Sequence, residues 1–147
     1  MSEADLALAL RIAKQAHAGQ TDKGGWPYIE HPLAVASMVH GSKEKIVALL
    51  HDVCEDSDIA LEDLRAAGFD DDVIEAVRAI TKMKGESYDA YLARVAANPI
   101  ARAVKIADLR HNCDLSRISN PGPSDFARVK RYQAAIRTLS AAGNDGW

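Results

Sequence analysis

An all-α fold is what this sequence predicts, and three observations predict it. Apolar residues recur three or four positions apart in segment after segment, and no stretch alternates strictly as a half-buried strand would. Glycine, proline and asparagine punctuate the chain at intervals suited to ordinary helices. Apolar residues make up 48 % of the 147 residues and charged residues 27 %, which is enough apolar chain to bury one proper core. A single domain over residues 1–147 is the expectation, with no internal repeat and no linker to divide it.

From the N-terminus, residues 4–18 place Leu6, Leu10, Ala13 and His17 near one face and Arg11 and Lys14 opposite, and Gly19 ends this helix as a C-terminal glycine does. The segment 19–30 holds three glycines and a proline; it reads as a long loop, and loops of that length in compact domains are often functional. His31-Pro32 opens the next helix, with proline tolerated in the first turn, and Leu33, Val35, Ala36 and Val39 supply its apolar side. Gly41 breaks the chain, and Ser42 is suited to cap the helix beyond it. That helix, Ile46–Asp56, runs from five apolar residues directly into His51-Asp52 and Glu55-Asp56.

A short helix then ends at Gly68. Another, at roughly 70–81, starts on three aspartates, favourable at a helix N-terminus, and carries Val73, Ile74, Val77 and Ile80 as its buried stripe. After the polar loop 81–87, residues 87–97 form an amphipathic helix with Tyr88, Tyr91, Leu92 and Val95. Asn98-Pro99 marks the next boundary. The helix beyond it is mostly apolar but carries Lys105, Asp108, His111, Asn112 and Asp114. Asn120-Pro-Gly-Pro is a firm break. Ser124 is suited to cap the last helix, at about 124–141, with Phe126, Val129, Tyr132, Ile136 and Leu139 toward the core, and the tail 142–147 reads as frayed.

Charge and composition exclude several classes of function. The net charge is −3 and no long basic tract is present, which argues against a nucleic-acid surface, because phosphate contacts need clustered lysine and arginine. A small phosphorylated ligand needs only a few local cations. No apolar run reaches the length of a membrane span, and the N-terminus lacks the layout of a signal peptide, so the expected location is the cytoplasm. Cys54 and Cys113 lie far apart without a CxxC and read as reduced core thiols.

The polar groups set into apolar helices point to chemistry. An unpaired buried carboxylate is costly, and a divalent cation is one means of neutralising it. Residues four apart on a helix share a face, which sets His51 beside Glu55, Asp52 beside Asp56, and Asp108 beside Asn112. With His31 they form a mixed imidazole and carboxylate set suited to Mn²⁺, Fe²⁺ or Zn²⁺. Plainer readings stand beside this one. His31 before a proline is commonly a capping or surface residue, His51-Asp52 reads equally as a buried hydrogen-bonded pair, and Glu55-Asp56 as solvated acids. His17, His40 and His111 read as structural or surface residues, Lys23, Lys82 and Lys84 as solvated loop lysines, and Tyr28 as packing. Asp108 resists such a reading, because it interrupts a run that should be buried.

Together, AHAGQTDKGGWPYIEHP (16–32), ALLHDVCEDSD (48–58) and VKIADLRHN (104–112) resemble, in that order, the signature blocks of the HD-domain hydrolases of the RelA/SpoT type. The stand-alone small alarmone hydrolases, which include the metazoan SpoT homologue, are the nearest in pattern. The resemblance runs from about residue 5 to residue 118, and at this length no room is expected for a synthetase domain.

The resemblance implies a single HD-domain helical bundle. It implies that His31, His51, Asp52 and Asp108 hold a divalent ion, usually Mn²⁺, and that Glu55 and Asp56 are the catalytic acidic pair that positions and activates water. Asn112, Lys23 and Lys84 would line the substrate site. The implied reaction is hydrolysis of the 3′-pyrophosphate of guanosine tetra- or pentaphosphate to pyrophosphate and GDP or GTP, in functional pairing with an alarmone synthetase. One departure stands out: Asp22 occupies the place where the long hydrolases often carry an arginine that stacks on guanine, and an aspartate neither stacks so nor attracts phosphate. Asp22 favours one alternative, a phosphohydrolase acting on an adenosine alarmone or a nucleoside phosphate. A second alternative is a non-catalytic metal- or ligand-binding module, against which the acidic pair argues.

Overall fold

Helical periodicity carries into the structure almost segment for segment. The computed structural model describes residues 3–144. Among these residues the α-helices are α1 (Glu3–Ala16), α2 (Glu30–Ser37), α3 (Ser42–Leu50), α4 (Val53–Asp56), α5 (Leu61–Ala66), α6 (Asp71–Ile80), α7 (Tyr88–Ala96), α8 (Pro99–Asn112) and α9 (Pro123–Asn144), with a 3₁₀ turn at Leu115–Arg117. The described residues form no strand. An isolated bridge between Thr21 and Pro27 only pinches the loop before α2.

Helix α3 is the centre of the bundle. Ile46, Val47, Ala48, Leu49 and Leu50 are all buried, because α1, α2, α6 and α8 pack around it. The segment 46–50, apolar on every side, has to be enclosed in this way, while the polar first turn, 42–45, is not buried. Helix α8 lies against α2, α3, α6, α7 and α9 and buries Ala101, Val104, Leu109 and, among these apolar residues, Asp108. Its start is well determined: Asn98 Oδ1 accepts the N–H of Ala101 at 3.0 Å, and Pro99 fills a first-turn position whose N–H would have no helical partner. Ser87 caps α7 in the same manner, accepting from Ala90 N at 3.1 Å.

Several expectations are corrected. The stretch Ile46–Asp56 is two helices, broken at His51-Asp52, where Asp52 takes up φ −104° and ψ −1°. Ser42 is already helical and Gly41 precedes it without a side-chain cap. Helix α9 starts at Pro123, before Ser124, and the cap interaction is supplied by Asp125, whose Oδ2 accepts the N–H of Gly122 at 2.9 Å. The helix continues to Asn144, so residues 142–144 are ordered helix; the rest of the expected frayed tail, 145–147, lies outside the described residues. Phe126, expected in the core, is 52 % exposed on the first turn of α9, whereas Leu139 is fully buried. Leu33 and Tyr88 also face solvent. Gly19 has φ +79°, the left-handed conformation that its place after α1 requires. Cys54 and Cys113 are free and half-buried. No helix among the described residues is long and apolar enough to cross a membrane.

Candidate metal centre and its cavity

The break between α3 and α4 is what builds the site. Consecutive residues of an unbroken helix point about 100° apart. Here His51 Nε2 and Asp52 Oδ2 converge to 3.0 Å. His31 enters from α2 and Asp108 from α8, with His31 Nε2 2.7 Å and His51 Nε2 3.3 Å from Asp108 Oδ1. His31 Nε2 lies 3.9 Å from Asp52 Oδ2. One donor atom from each of the four residues falls within 4.8 Å of all the others. Ligand bonds of about 2.1 Å set neighbouring ligand atoms roughly 3 to 3.5 Å apart, so this quartet fits one ion. His31, His51 and Asp108 are buried.

The electrostatics suit a cation. Burial works against charge on Asp108, but Lys105, His31 and His51 outweigh it and hold its carboxyl well below the usual carboxylate range. Burial is likewise outweighed at Asp52, by His51 and by the hydroxyl of Tyr28. These two carboxylates in turn overcome burial at His51 and hold its imidazole well above its ordinary range. Two ionised carboxylates in a buried pocket attract whatever positive charge can reach them.

Each member of the quartet is held from behind. His51 Nδ1 donates to Ala48 O at 2.5 Å. Tyr28 O–H donates to Asp52 Oδ2 at 2.6 Å, and burial with the Asp52 charge pushes that hydroxyl well above its ordinary pKa, so it stays a donor. Lys105 Nζ donates to Asp108 Oδ2 at 2.9 Å and Asn112 Nδ2 to Asp108 Oδ1 at 3.2 Å. His31 Nδ1 lies 2.7 Å from His111 Nδ1, the two rings inclined at 28° with their centroids 4.9 Å apart.

The acidic pair lies on α4 beside the quartet. Burial and the Asp52 charge push the Glu55 carboxyl up, partly offset by the N–H of Lys82, which donates to Glu55 Oε1 at 2.6 Å. Burial and Asp52 push Asp56 up as well, against the pull of His17, His51 and His31. Carboxyls raised in this way take up a proton more readily than free ones do.

His31 also borders an open cavity of about 330 Å³, lined by residues that include Asp22, Lys23, Tyr28, His111, Asn112, Arg128 and Tyr132. Of the residues expected at the substrate site, Lys23 and Asn112 line this cavity and the exposed Lys84 does not. Asp22 Oδ1 accepts the N–H groups of Gly24 and Trp26 at 2.9 and 3.0 Å, so this side chain shapes the loop.

Sequence reasoning missed Tyr28, His111, Lys105, Arg128 and Tyr132. His111 stands three residues after Asp108, one turn along the same face, a signal that was present. Arg128 and Tyr132 are four apart on α9, yet their relation to the cavity depends on how α9 packs on α8. Tyr28, read as packing, is a hydrogen-bond donor to Asp52, because the loop returns it to the mouth of the site.

Fold and site together define an all-helical protein organised around a buried histidine–aspartate cluster suited to a divalent ion. The family model described as "HD domain" matches residues 9–113, and the chain belongs to the HD-domain family. It is 37 % identical over 144 residues to a GTP pyrophosphokinase of Streptomyces coelicolor, covering 89 % of this chain and 16 % of that protein. It is 31 % identical over 143 residues to the bifunctional (p)ppGpp synthase/hydrolase SpoT of Escherichia coli, covering 87 % and 20 %. The chain therefore spans a fifth or less of the length of these curated relatives. A solved structure described as a metazoan ortholog of SpoT that hydrolyzes ppGpp superposes with a TM-score of 0.77 at 24 % identity, covering 97 % of this chain and 86 % of that one; it shows a shared fold.

Proposed function

We propose that this protein hydrolyses the 3′-pyrophosphate of guanosine tetra- or pentaphosphate, releasing pyrophosphate and GDP or GTP. The observation that carries the proposal is the buried quartet, four donor atoms within 4.8 Å, beside a cavity that Lys23 and Arg128 help to line. The names of the relatives supply the substrate. His31, His51, Asp52 and Asp108 hold the divalent ion, for which we propose Mn²⁺. Bound there, it supplies Lewis acidity toward water and phosphate oxygens.

The chain's own residues do the rest. Glu55 and Asp56 orient the attacking water and accept its proton as the new oxygen–phosphorus bond forms and the bond from phosphorus to the ribose 3′-oxygen breaks. Lys23 and Arg128 offset phosphate charge from the cavity wall; Lys84 lies outside that wall and is given no part. Asn112 steadies Asp108 and presents an amide to the ligand. The whole of 1–147 acts as one HD unit, working opposite a synthetase that makes the same nucleotide.

Asp52→Ala tests the metal chemistry: turnover is lost while circular dichroism and the unfolding transition persist. Full activity in that variant contradicts the proposal. A second reading, hydrolysis of another nucleotide, is favoured by Asp22, which offers a loop-bound carboxylate where a stacking cation would suit guanine. A panel of guanosine and adenosine phosphates separates the two by kcat/KM.

A further inference from the structure

Of the contacts that brace the quartet, four have a direction fixed by chemistry, among them the donation from Asn112 Nδ2 to Asp108 Oδ1. A carbonyl can only accept, so His51 Nδ1 must donate to Ala48 O, and Nε2 is the nitrogen left to ligate once the ring is neutral. Lys105 can only donate to Asp108. Tyr28 must donate, because the carboxylate of Asp52 can only accept. The fifth contact is of another kind. His31 Nδ1 and His111 Nδ1 are 2.7 Å apart, and two imidazole nitrogens at that distance share one proton, which either ring can own.

Ownership decides what the inner nitrogen of His31 can do. If His111 Nδ1 carries the proton, His31 Nδ1 accepts it, and Nε2 of a neutral His31 bears hydrogen aimed at Asp108 Oδ1, 2.7 Å away. That nitrogen cannot bind a metal. If His31 Nδ1 carries the proton, His111 must present a lone pair, and Nε2 of His31 turns a lone pair toward Asp52 and Asp108. The tautomer of a metal-binding histidine is set by the bond its other nitrogen makes.

We infer that His111 is a positioning residue for the metal centre, acting as hydrogen-bond acceptor to His31 Nδ1–H and so fixing His31 in its ligating tautomer. The inference rests on the assignment of His31 as a ligand, but on no choice of substrate. It also gives His111, which borders the cavity, a role apart from any contact with a nucleotide.

The test is metal binding to the metal-free protein, measured by calorimetry with Mn²⁺, in the wild type, His111→Leu and His111→Asn. Leucine removes the acceptor; asparagine puts a carbonyl oxygen near the place of Nδ1. The expected result is an affinity roughly 10–100-fold weaker for His111→Leu, recovered to near wild type in His111→Asn, with all three metal-free proteins unfolding at similar temperatures. In the Zn²⁺-loaded wild type, nitrogen-15 spectra of the imidazoles should show hydrogen on His31 Nδ1 and on His111 Nε2. Wild-type affinity in His111→Leu, equal weakening in both variants, or hydrogen on His111 Nδ1 in the loaded protein overturns the inference and leaves the metal site standing. A wild-type protein that binds no divalent ion overturns both. Metal binding that follows the expected pattern, without hydrolysis of guanosine tetraphosphate, sinks only the substrate reading.

Discussion

At the scale of single residues the site is a problem in buried charge. Asp52 and Asp108 are kept ionised by neighbours, while Glu55 and Asp56, a few residues on, are pushed the other way. A carboxyl whose pKa is higher folded than unfolded binds more protons in the folded state. Stability therefore falls as pH climbs from the ordinary carboxylate value through the raised one, and the loss is complete above it. Neutralising Asp56 removes that cost. Asp56→Asn is expected to raise the unfolding temperature of the metal-free protein at pH 7, to flatten its dependence on pH above the ordinary carboxylate range, and to abolish turnover. Thermal unfolding across a pH series, with a parallel assay, checks all three. Residue chemistry alone singled out Asp108, which interrupts a buried run; His31 before a proline also reads as a capping residue and His51-Asp52 as a hydrogen-bonded pair, so the full quartet was legible only through the resemblance of the three motif blocks. Tyr28 and Lys105 were not legible, since a tyrosine in a loop and a lysine on a helix acquire their roles only from what the tertiary fold brings to their tips.

At the scale of elements, periodicity located the main helices, and local chemistry decided their ends. Ser87 and Asn98 accept from the N–H three residues on, as N-cap residues do. Ser42 and Ser124 carry the same side-chain chemistry but lie at the first and second positions of their helices, and the sequence offered no way to tell the two cases apart. The break at His51-Asp52 was equally hidden: an apolar run leading into polar residues looks like one helix, whereas the geometry of the quartet needs two. Helix α8 carries Lys105, Asp108, His111 and Asn112, so its anchoring bears on the whole site. Asn98→Ala should cost about 1 kcal/mol of stability, seen as a lower unfolding temperature, while metal affinity of the folded protein stays unchanged. A loss of affinity without a loss of stability would show that α8 is held in place by something other than this cap.

At the scale of the molecule, the arrangement is a buried helix, α3, inside a sleeve of others, with the reactive groups gathered where α2, the α3–α4 break and α8 meet. That layout keeps the quartet in low dielectric while the cavity beside it stays open. Leu50 is fully buried immediately before His51, so packing and site are mechanically continuous. The fold class was legible because helical spacing is repeated through the chain; the cavity was not, because its walls come from the loop before α2, from α8 and from α9, and nothing local announces that meeting. The central claim is metal-dependent cleavage of a 3′-pyrophosphate by this cluster. The most direct measurement is product analysis with guanosine tetraphosphate, with Mn²⁺ and then with excess chelator. Stoichiometric pyrophosphate and GDP with metal, and neither with chelator, is the predicted result; unchanged nucleotide in the presence of bound metal, or equal turnover with chelator, would contradict it.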